Sequence, residues 1–385
     1  MSSTAHDQAG LTCRVIDNLD AWLPLRDAWD ELLQVSPEST PWQGFDFVCN
    51  WWRSLAEKLQ LRIFVVERNG APCLILPLQI SRWPWLPSVP VNILEPIGSI
   101  MDVNRPRFAL GHPAEDAYDC ALAAVWKCRD EWHTIRIDEK LSDDAEVRYL
   151  RQFAARHELL FRLSFSHLCP YLDLRQDWQR YLAGRSSKLR KNLRTARRRL
   201  EALGSVSLRS FQQGDDMGAA LDLVIDLHSR SWKRKKKVEH SQSLRYQAFF
   251  RAWLLAMAER GRARILALYC GDRAVAATVA VMDETTYYSA QIVHDGGFAA
   301  CSPGTQLEAL ELEGLMKQQR YQRYDFLGSF LNNKLRWTDT ALSTSHVFVL
   351  QPALRTRLVS WYYFQLKPYI KPRLLGLLNR LRNRP

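Results

Sequence analysis

Two segments of the chain share the same order of apolar and polar positions. Residues 47–66 contain a tryptophan-rich amphipathic stretch, FVCNWWRSLAEKL, and an apolar run, RIFVV, followed by an Asn69-Gly70 pair. Residues 249–268 repeat that order with FFRAWLLAMAERG and RILAL, followed by a Gly271-Asp272 pair. Asn-Gly and Gly-Asp pairs are typical of two-residue hairpin turns. Each segment therefore predicts a helix, a strand, a tight turn and a second strand.

The two segments also align residue by residue at an offset of 202. The matching pairs are Phe47 with Phe249, Trp51 with Trp253, Ala56 with Ala258, Glu57 with Glu259, Lys58 with Arg260 and Ile63 with Ile265. Any two helix–strand segments resemble each other to some extent, and that is the alternative interpretation. We favour duplication, which predicts α/β domains with mixed central sheets at residues 1–170 and 171–352, followed by a tail at 353–385. A cleft between two such copies is a usual place for a ligand.

The second copy continues with a strand–loop–helix–strand pattern. We predict a strand at 286–294, a loop at 295–304, a helix at 305–319 and a strand at 323–327. Ser302, Pro303 and Gly304 stand directly before the helix, which would leave its first-turn amides free, with Thr305 as a cap. Such amides and the helix dipole bind phosphate without a charged side chain. An ordinary helix start has the same residues, so Ser302, Gly304 and Thr305 are candidates that need a structural context.

A basic amphipathic helix is predicted over residues 186–203. Its apolar positions are spaced by four and three residues and form one narrow stripe: Leu189, Leu193, Ala196, Leu200 and Leu203. The remaining surface is basic, and Glu201 is the one acid in this segment. A solvated helix is the alternative, but such helices usually mix charges of both signs. Lys188, Arg190 and Lys191 are therefore candidates for phosphate contact.

Composition limits the class of protein. The 385 residues carry 53 Lys and Arg against 41 Asp and Glu, a net charge of +12. Twenty-two of the basic residues lie in windows 185–199, 230–237 and 353–385, which contain no acid, so the rest of the chain has a net charge of −10. An acidic body with basic segments does not suit a protein that coats DNA, and favours phosphate groups or a membrane surface as partners.

Other classes of site and location are disfavoured by the pattern. The eight cysteines form no CxxC pair, so we expect no metal centre. The N-terminal MSSTAHDQAG lacks the features of a signal peptide, and no apolar stretch reaches the length of a membrane span. We therefore expect a cytoplasmic protein, with peripheral contact at the inner membrane face as a further expectation.

The order of these elements resembles the GNAT acyltransferase superfamily. Within it, the chain is similar to the CelD-like acetyltransferases of cellulose and exopolysaccharide production, which have two GNAT-like halves related to the Fem-type peptidoglycan aminoacyltransferases. The motifs that carry the resemblance are PYLDL at 170–174, the basic helix, the segment 228–232, SPGTQL at 302–307, and YDFLG at 324–328 followed by Lys334 and Trp337. The resemblance implies tandem GNAT-like domains, an acyl-coenzyme A co-substrate held by the loop and helix at 302–307, and a cytoplasmic bacterial enzyme.

The chain departs from that superfamily in three places. The Gln/Arg-x-x-Gly-x-Gly phosphate signature is absent, which leaves Gly304 as a single glycine in that role. Ser329 stands where relatives often have an acid, and Asn333 stands where they often have tyrosine. The resemblance therefore specifies a fold, and does not specify the acyl group or the acceptor.

Candidate acid–base residues lie near these motifs: Asp325, His228, Lys334, His294 and, from the first half, Asp102. Asp325 and Lys334 could instead form an ion pair that only fixes a loop. His228 could equally be a core histidine, because its predicted helix is apolar. Candidate substrate-binding residues are Trp232, Tyr288 and Trp337. Direct attack of an amine or hydroxyl on a bound thioester needs chiefly positioning and an oxyanion donor, so no covalent intermediate is expected.

Three functions follow from these features. The first is transfer of an acyl group, most simply acetyl, from acyl-coenzyme A to an amine or hydroxyl of a small-molecule or saccharide acceptor. The second is a Fem-like transfer from aminoacyl-tRNA, which would be the one role for nucleic acid. The third is a non-catalytic GNAT-fold scaffold. Separately, the tail at 353–385 predicts contact with an anionic membrane, unless its apolar residues dock on the protein body.

Overall fold

The computed structural model describes residues 10–37, 39–86, 89–98, 108–141, 144–231, 244–328 and 332–366. Three residues named above, Asp102, Trp232 and Ser329, lie outside these ranges, as does the end of the tail after residue 366. The backbone of Asn333 is described within a short helix, but its side chain is not. Among the described residues, no helix is long and apolar enough to cross a bilayer.

The first half contains, in order, a strand, three helices, three strands, a helix, a strand, a helix and a strand. It consists of β1 (Leu11–Ile16), α1 (Leu19–Trp22), α2 (Arg26–Val35), α3 (Phe45–Leu55), β2 (Gln60–Arg68), β3 (Ala71–Leu86), β4 (Val89–Pro96), α4 (Glu115–Lys127), β5 (Thr134–Leu141), α5 (Ala145–Arg156) and β6 (Leu160–Asp173). The predicted turn is confirmed: Asn69 and Gly70 both have positive φ, the combination that a tight β-hairpin requires.

After two helices, the second half repeats the order strand, helices, three strands, helix, strand, helix, strand. It consists of α6 (Trp178–Gly184), α7 (Ser187–Glu201), β7 (Val206–Phe211), α8 (Met217–Arg230), α9 (Leu244–Glu259), β8 (Ala263–Cys270), β9 (Arg273–Met282), β10 (Thr286–His294), α10 (Pro303–Gln318), β11 (Arg323–Asp325), α11 (Asn332–Leu335) and β12 (Ala341–Leu350). The strand predicted at 286–294 coincides with β10. The second predicted hairpin is also confirmed, because β8 and β9 pair antiparallel on either side of Gly271.

All twelve described strands form one mixed sheet in the order β1-β2-β3-β4-β5-β12-β6-β11-β10-β9-β8-β7. This order is symmetric if each strand of the first half is exchanged with its counterpart six strands later. The last strand of each half pairs with the fifth strand of the other half, since β12 lies beside β5 and β6 beside β11. The fold is thus α/β with a large mixed sheet, as in tandem GNAT-like domains. The proposed division at residue 170 falls within β6 and stays a prediction.

The repeated helices α3 and α9 pack on each other. Phe47 is fully buried, and its ring lies 5.3 Å from that of Phe249 and 5.0 Å from that of Trp253, both nearly edge-to-face. Trp253 also contacts Trp42, which precedes α3. Aromatic pairs in this geometry stabilise a core beyond the area that they bury. One apolar cluster therefore runs through both halves and holds them together.

Candidate functional site

The helix α10 is tied to the sheet by one buried carboxylate. Glu311 accepts hydrogen bonds from the hydroxyls of Thr278 on β9 (2.8 Å), Tyr287 on β10 (2.6 Å) and Tyr324 on β11 (2.8 Å). Burial raises the pKa of both tyrosine hydroxyls well above the ordinary value, so they remain donors at any physiological pH. A buried carboxylate is tolerated where hydrogen bonds satisfy it, and these three fix the helix over strands β9 to β11.

Strands β10 and β11 are paired over only three residues. The parallel ladder ends where Tyr288 faces Asp325, although β10 continues through a bulge to His294. After β11 the chain turns through Leu327 and Gly328, both with positive φ. The Asp325 carboxylate accepts from the Leu327 amide at 2.9 Å, and the Lys334 ammonium donates to the Leu327 carbonyl. Asp325 and Lys334 thus both hold the turn that leads away from the end of the ladder.

The N-terminus of α10 lies at the end of β10. The helix begins at Pro303, with Ser302 in the left-handed conformation as its N-cap. The predicted cap at Thr305 is wrong: this residue lies inside the helix, and its hydroxyl accepts from the Arg336 guanidinium at 2.8 Å. We also expected the first-turn amides to be free. The amide of Gly304 donates no hydrogen bond within the described residues, but the amide of Thr305 donates to the Ser302 carbonyl, so the expectation is correct only for Gly304.

Glu308 is a second acidic residue of α10 and lies one turn after Gly304. Gly304 and Glu308 are four residues apart and therefore share one side of the helix. The carboxylate of Glu308 accepts from the indole N–H of Trp337 at 2.5 Å, and the carbonyl of Trp337 accepts from the Tyr181 hydroxyl at 2.6 Å. Burial raises the pKa of the Glu308 carboxyl to about 7, against the opposing effects of the Trp337 N–H and the Arg336 guanidinium.

Glu308 and Arg336 are site residues that the sequence patterns did not indicate. Glu308 has no distinctive neighbours in the sequence of α10, and Arg336 lies after the strand predicted at 323–327, outside any predicted helix or strand. Trp337 was predicted to be a substrate-binding residue. It is fully buried, and the structure places it as a support for Glu308.

The basic helix α7 packs beside the start of α10. Its predicted apolar stripe is confirmed at Leu189, Leu193, Ala196 and Leu200, which are all buried. The fifth predicted position, Leu203, is wrong, because the helix ends at Glu201 and Leu203 is exposed. The side-chain amide of Gln306 on α10 donates to the Leu193 carbonyl at 2.7 Å. The guanidinium of Arg199 donates to the Ala300 carbonyl at 2.8 Å, in the loop that leads into α10. This packing brings the end of the basic helix to the loop before Ser302.

The three phosphate-contact candidates on α7 differ in their surroundings. Arg190 donates to the carbonyls of Ala183 and Arg185, at 2.5 and 2.6 Å, and so supports the turn between α6 and α7. Lys188 and Lys191 are exposed. Because buried residues occupy one side of α7, the exposed cations on its opposite side point into solvent; these are Lys191, Arg194 and Arg198. We call these three residues the outer cation row.

The two histidine candidates lie near β10. A ring nitrogen of His228, on α8, is 3.4 Å from the side-chain amide nitrogen of Gln291. A Cβ atom added at Gly304 would lie 3.5 Å from Nδ1 of His294, an ordinary van der Waals contact. His294 therefore lies beside the helix N-terminus, whereas His228 contacts β10 at Gln291, three residues before His294.

A cleft of about 700 Å³ lies between the two halves. The first half contributes Thr40, Pro41, Glu139, Lys140 and other residues, and the second half contributes Asp283, Thr286, Tyr288 and Arg323 among others. Tyr288, which was predicted to bind substrate, donates its hydroxyl to Asp283 at 2.7 Å and packs its ring on Trp42. Tyr288 faces Asp325 at the end of the ladder, and the other lining residues from these two strands, Thr286 and Arg323, lie where β10 and β11 begin.

The equivalent helix of the first half has the opposite electrostatic character. Helix α4 follows β4 as α10 follows β10, but its first turn carries Glu115 and Asp116. Carboxylates in the first turn repel a phosphate group from the positive end of the helix dipole. Of these two helix starts, only that of α10 has no acidic residue in its first turn. No group of three or more His, Cys, Asp or Glu side chains within the described ranges could hold a metal ion.

Residues 187–334 match the family model described as an acetyltransferase (GNAT) domain. This segment includes α7, α10, β10 and β11. The chain therefore carries a GNAT-type acyltransferase domain in its second half.

Solved structures resemble the whole fold. FemX is 11% identical, with a TM-score of 0.59 over 88% of this chain and 98% of its own. The C-terminal domain of a putative lysylphosphatidylglycerol synthetase from Agrobacterium fabrum is 11% identical, with a TM-score of 0.53 over 87% of this chain and 95% of its own. A conserved protein of unknown function from Bacteroides thetaiotaomicron is 12% identical, with a TM-score of 0.52. At these identities the likeness is one of fold. A search of curated proteins found no match.

Proposed function

We propose that this protein transfers an acyl group, most simply acetyl, from acyl-coenzyme A to an amine or hydroxyl acceptor. The observation that carries the proposal is the position of the α10 N-terminus beside Ile292 and His294, on the part of β10 that extends beyond its ladder with β11, inside the segment that matches the GNAT domain. The Gly304 amide and the Arg336 guanidinium would bind the pyrophosphate of coenzyme A, and the end of the β10–β11 ladder would receive the thioester arm.

Glu308 is the group that handles the proton in this proposal. A ligand held at Gly304 passes Glu308 one helical turn later, and a carboxyl with a pKa near 7 can both give and take a proton at neutral pH. When the acceptor attacks the thioester carbonyl, its N–H or O–H proton passes to the ionised Glu308 carboxylate, the bond from the acceptor to the acyl carbon forms, the C–S bond breaks and the coenzyme A thiolate leaves. A protonated Glu308 returns a proton to that thiolate. Asp325 and Lys334 shape the turn beside the thioester.

The acceptor enters through the cleft between the halves. Its lining is polar and carries charges of both signs, with Lys140, Arg262 and Arg323 near Glu139 and Asp283. Such a lining suits a hydrophilic acceptor that bears hydroxyl or amino groups. Together with the resemblance to CelD-like acetyltransferases, this supports a saccharide acceptor in envelope or exopolysaccharide biosynthesis.

A Fem-like transfer from aminoacyl-tRNA is the second candidate. Two observations favour it: the likeness of the fold to FemX over nearly that whole chain, and the outer cation row on α7, which does not point toward α10. A row of exposed cations binds a polyanion through counterion release, and the affinity then falls steeply with salt. Coenzyme A, by contrast, would need Gly304 and Arg336 but not this row.

Mass spectrometry of small molecules retained by the purified full chain, together with filter binding of tRNA at several salt concentrations, separates these functions. We expect a retained coenzyme A species and tRNA binding no stronger than that of a variant with Gln at all three positions of the outer cation row. Salt-dependent tRNA binding that this triple variant loses, with no coenzyme A species, would instead establish the second candidate. If neither a coenzyme A species nor tRNA binding is found, the non-catalytic GNAT-fold scaffold is the remaining function.

A further inference from the structure

The helix after the last strand is only half covered by the protein body. Helix α12 (Leu354–Ser360) continues as a turn of π-helix (Trp361–Leu366). Its inner side is docked: Thr356 is 1% and Val359 0% exposed, and the ring of Phe364 lies 5.1 Å from that of Phe348 on β12. Docking on the protein body, one of the two expectations for the tail, is therefore confirmed for the inner side of this helix.

The outer side of this helix presents three large apolar side chains. Leu354 is 76%, Leu358 45% and Trp361 55% exposed. Their spacing of four and three residues places them in one line along the helix. Single exposed apolar residues are common on protein surfaces, but a line of two leucines and a tryptophan is not accounted for by packing within the described protein. We call these three residues the tail stripe.

The charged residues of this helix are all basic, and Glu158 lies near Arg357 at its docked side. Arg355 and Arg357 are exposed on the same helix, and Arg355 also contacts the ring of His133. Residues 353–385 contain eight basic residues and no acid, and six of the eight follow residue 366. A partner that covers the tail stripe must therefore be apolar at its centre and negatively charged around it.

We propose that the tail stripe is a contact site for an anionic lipid bilayer surface. Tryptophan and leucine enter the boundary between headgroups and acyl chains, while arginines beside them contact phosphate and other anionic headgroups. A second copy of the chain fits this surface less well, because a stable dimer buries about 800 Å² on each partner and like charges would face each other. The inference does not depend on the acyl-transfer reaction, since it rests on contacts of α12 alone.

Flotation of the full chain with vesicles tests this proposal. The probes are vesicles of phosphatidylcholine alone and of phosphatidylcholine mixed with phosphatidylglycerol. The test variant is L354Q/L358Q/W361Q, in which glutamine keeps the charge and much of the helix propensity. The matched control is Ile225→Gln, because Ile225 is an isolated apolar residue on α8 with 42% exposure. Thermal melting of each variant checks that the fold is intact.

We expect the wild type and Ile225→Gln to float with the anionic vesicles and not with the neutral ones. The triple variant should bind at least about tenfold more weakly, and R355Q/R357Q should lose about fivefold for each arginine removed. Equal flotation of the triple variant and the wild type, or no flotation of the wild type, would overturn the proposal. Light scattering provides the last arm: a wild-type dimer that becomes a monomer in the triple variant, without vesicle binding, would assign the tail stripe to a second copy.

Discussion

The indole of Trp337 donates a hydrogen bond to the carboxylate of Glu308 across 29 residues of sequence. This contact joins the segment after β11 to the second turn of α10, directly beside the helix N-terminus that we assign to the acyl donor. Burial raises the pKa of this carboxyl to about 7, although the hydrogen bond from Trp337 acts in the opposite direction. An acid held in this way affects both the stability of the protein and the reaction.

Replacement of Glu308 by glutamine should change the pH dependence of stability. The folded protein binds the Glu308 proton more tightly than the unfolded chain does, because the pKa rises from 4.5 to about 7. Glu308 therefore favours the folded state fully below pH 4.5, and this contribution is lost as the pH rises through 7. The free energy of unfolding of the wild type, relative to Glu308→Gln, should fall by at most about 3 kcal/mol over that interval. Urea unfolding at several pH values measures this difference, and parallel curves for the two proteins would refute it.

The same substitution should alter catalysis. The rate at which wild-type protein releases coenzyme A thiol from acetyl-coenzyme A should show an inflection near pH 7. In Glu308→Gln the inflection should disappear and the rate should fall by about 10²-fold or more. If Glu308→Gln keeps the inflection, a residue other than Glu308 is the acid–base group.

Two substitutions of Asp325 separate a structural from a catalytic role. Asparagine can still accept the hydrogen bond from the Leu327 amide, whereas alanine cannot. If Asp325 holds the turn, Asp325→Asn should keep nearly normal thiol release, and Asp325→Ala should lose about 1 to 3 kcal/mol of stability, the usual consequence of leaving a buried donor unpaired. Thiol-release assays and thermal melting of both variants test this. A loss of about 10²-fold in Asp325→Asn with an unchanged melting temperature would instead show that the charge itself takes part in the reaction.

Truncation of Phe47 tests the packing of the two halves. Because its ring is fully buried between Phe249 and Trp253, Phe47→Ala should lower the free energy of unfolding by about 3 to 5 kcal/mol. Phe165→Ala is the control, since that ring is 64% exposed on β6 and its removal should have little effect. Urea denaturation of both variants provides the comparison. Similar losses in the two would mean that α3 and α9 contribute little to the joint core.

Local features of the fold were predictable from the sequence, and long-range ones were not. The strand predicted at 286–294 has the bounds of β10, and α7 begins within one residue of its predicted start, because both signals lie within a few adjacent residues. The exchange of β6 and β12 between the halves has no such signal, because the pattern of a strand does not specify its partner. The pairing of Glu308 with Trp337 likewise depends on how α10 and the segment after α11 come together in space.

The most direct test of the account is the binding of coenzyme A to two glycine variants of the same helix. Isothermal titration should show one site per chain for acetyl-coenzyme A in the wild type. Gly304→Val should abolish this binding while the melting temperature stays close to that of the wild type, because the phosphate must approach the Gly304 backbone. Gly314→Ala, in the middle of α10 with no atom within 4 Å of an added Cβ, should bind as the wild type does. Unchanged affinity in Gly304→Val, or no binding by the wild type, would contradict the assignment of this helix N-terminus as the acyl-donor site.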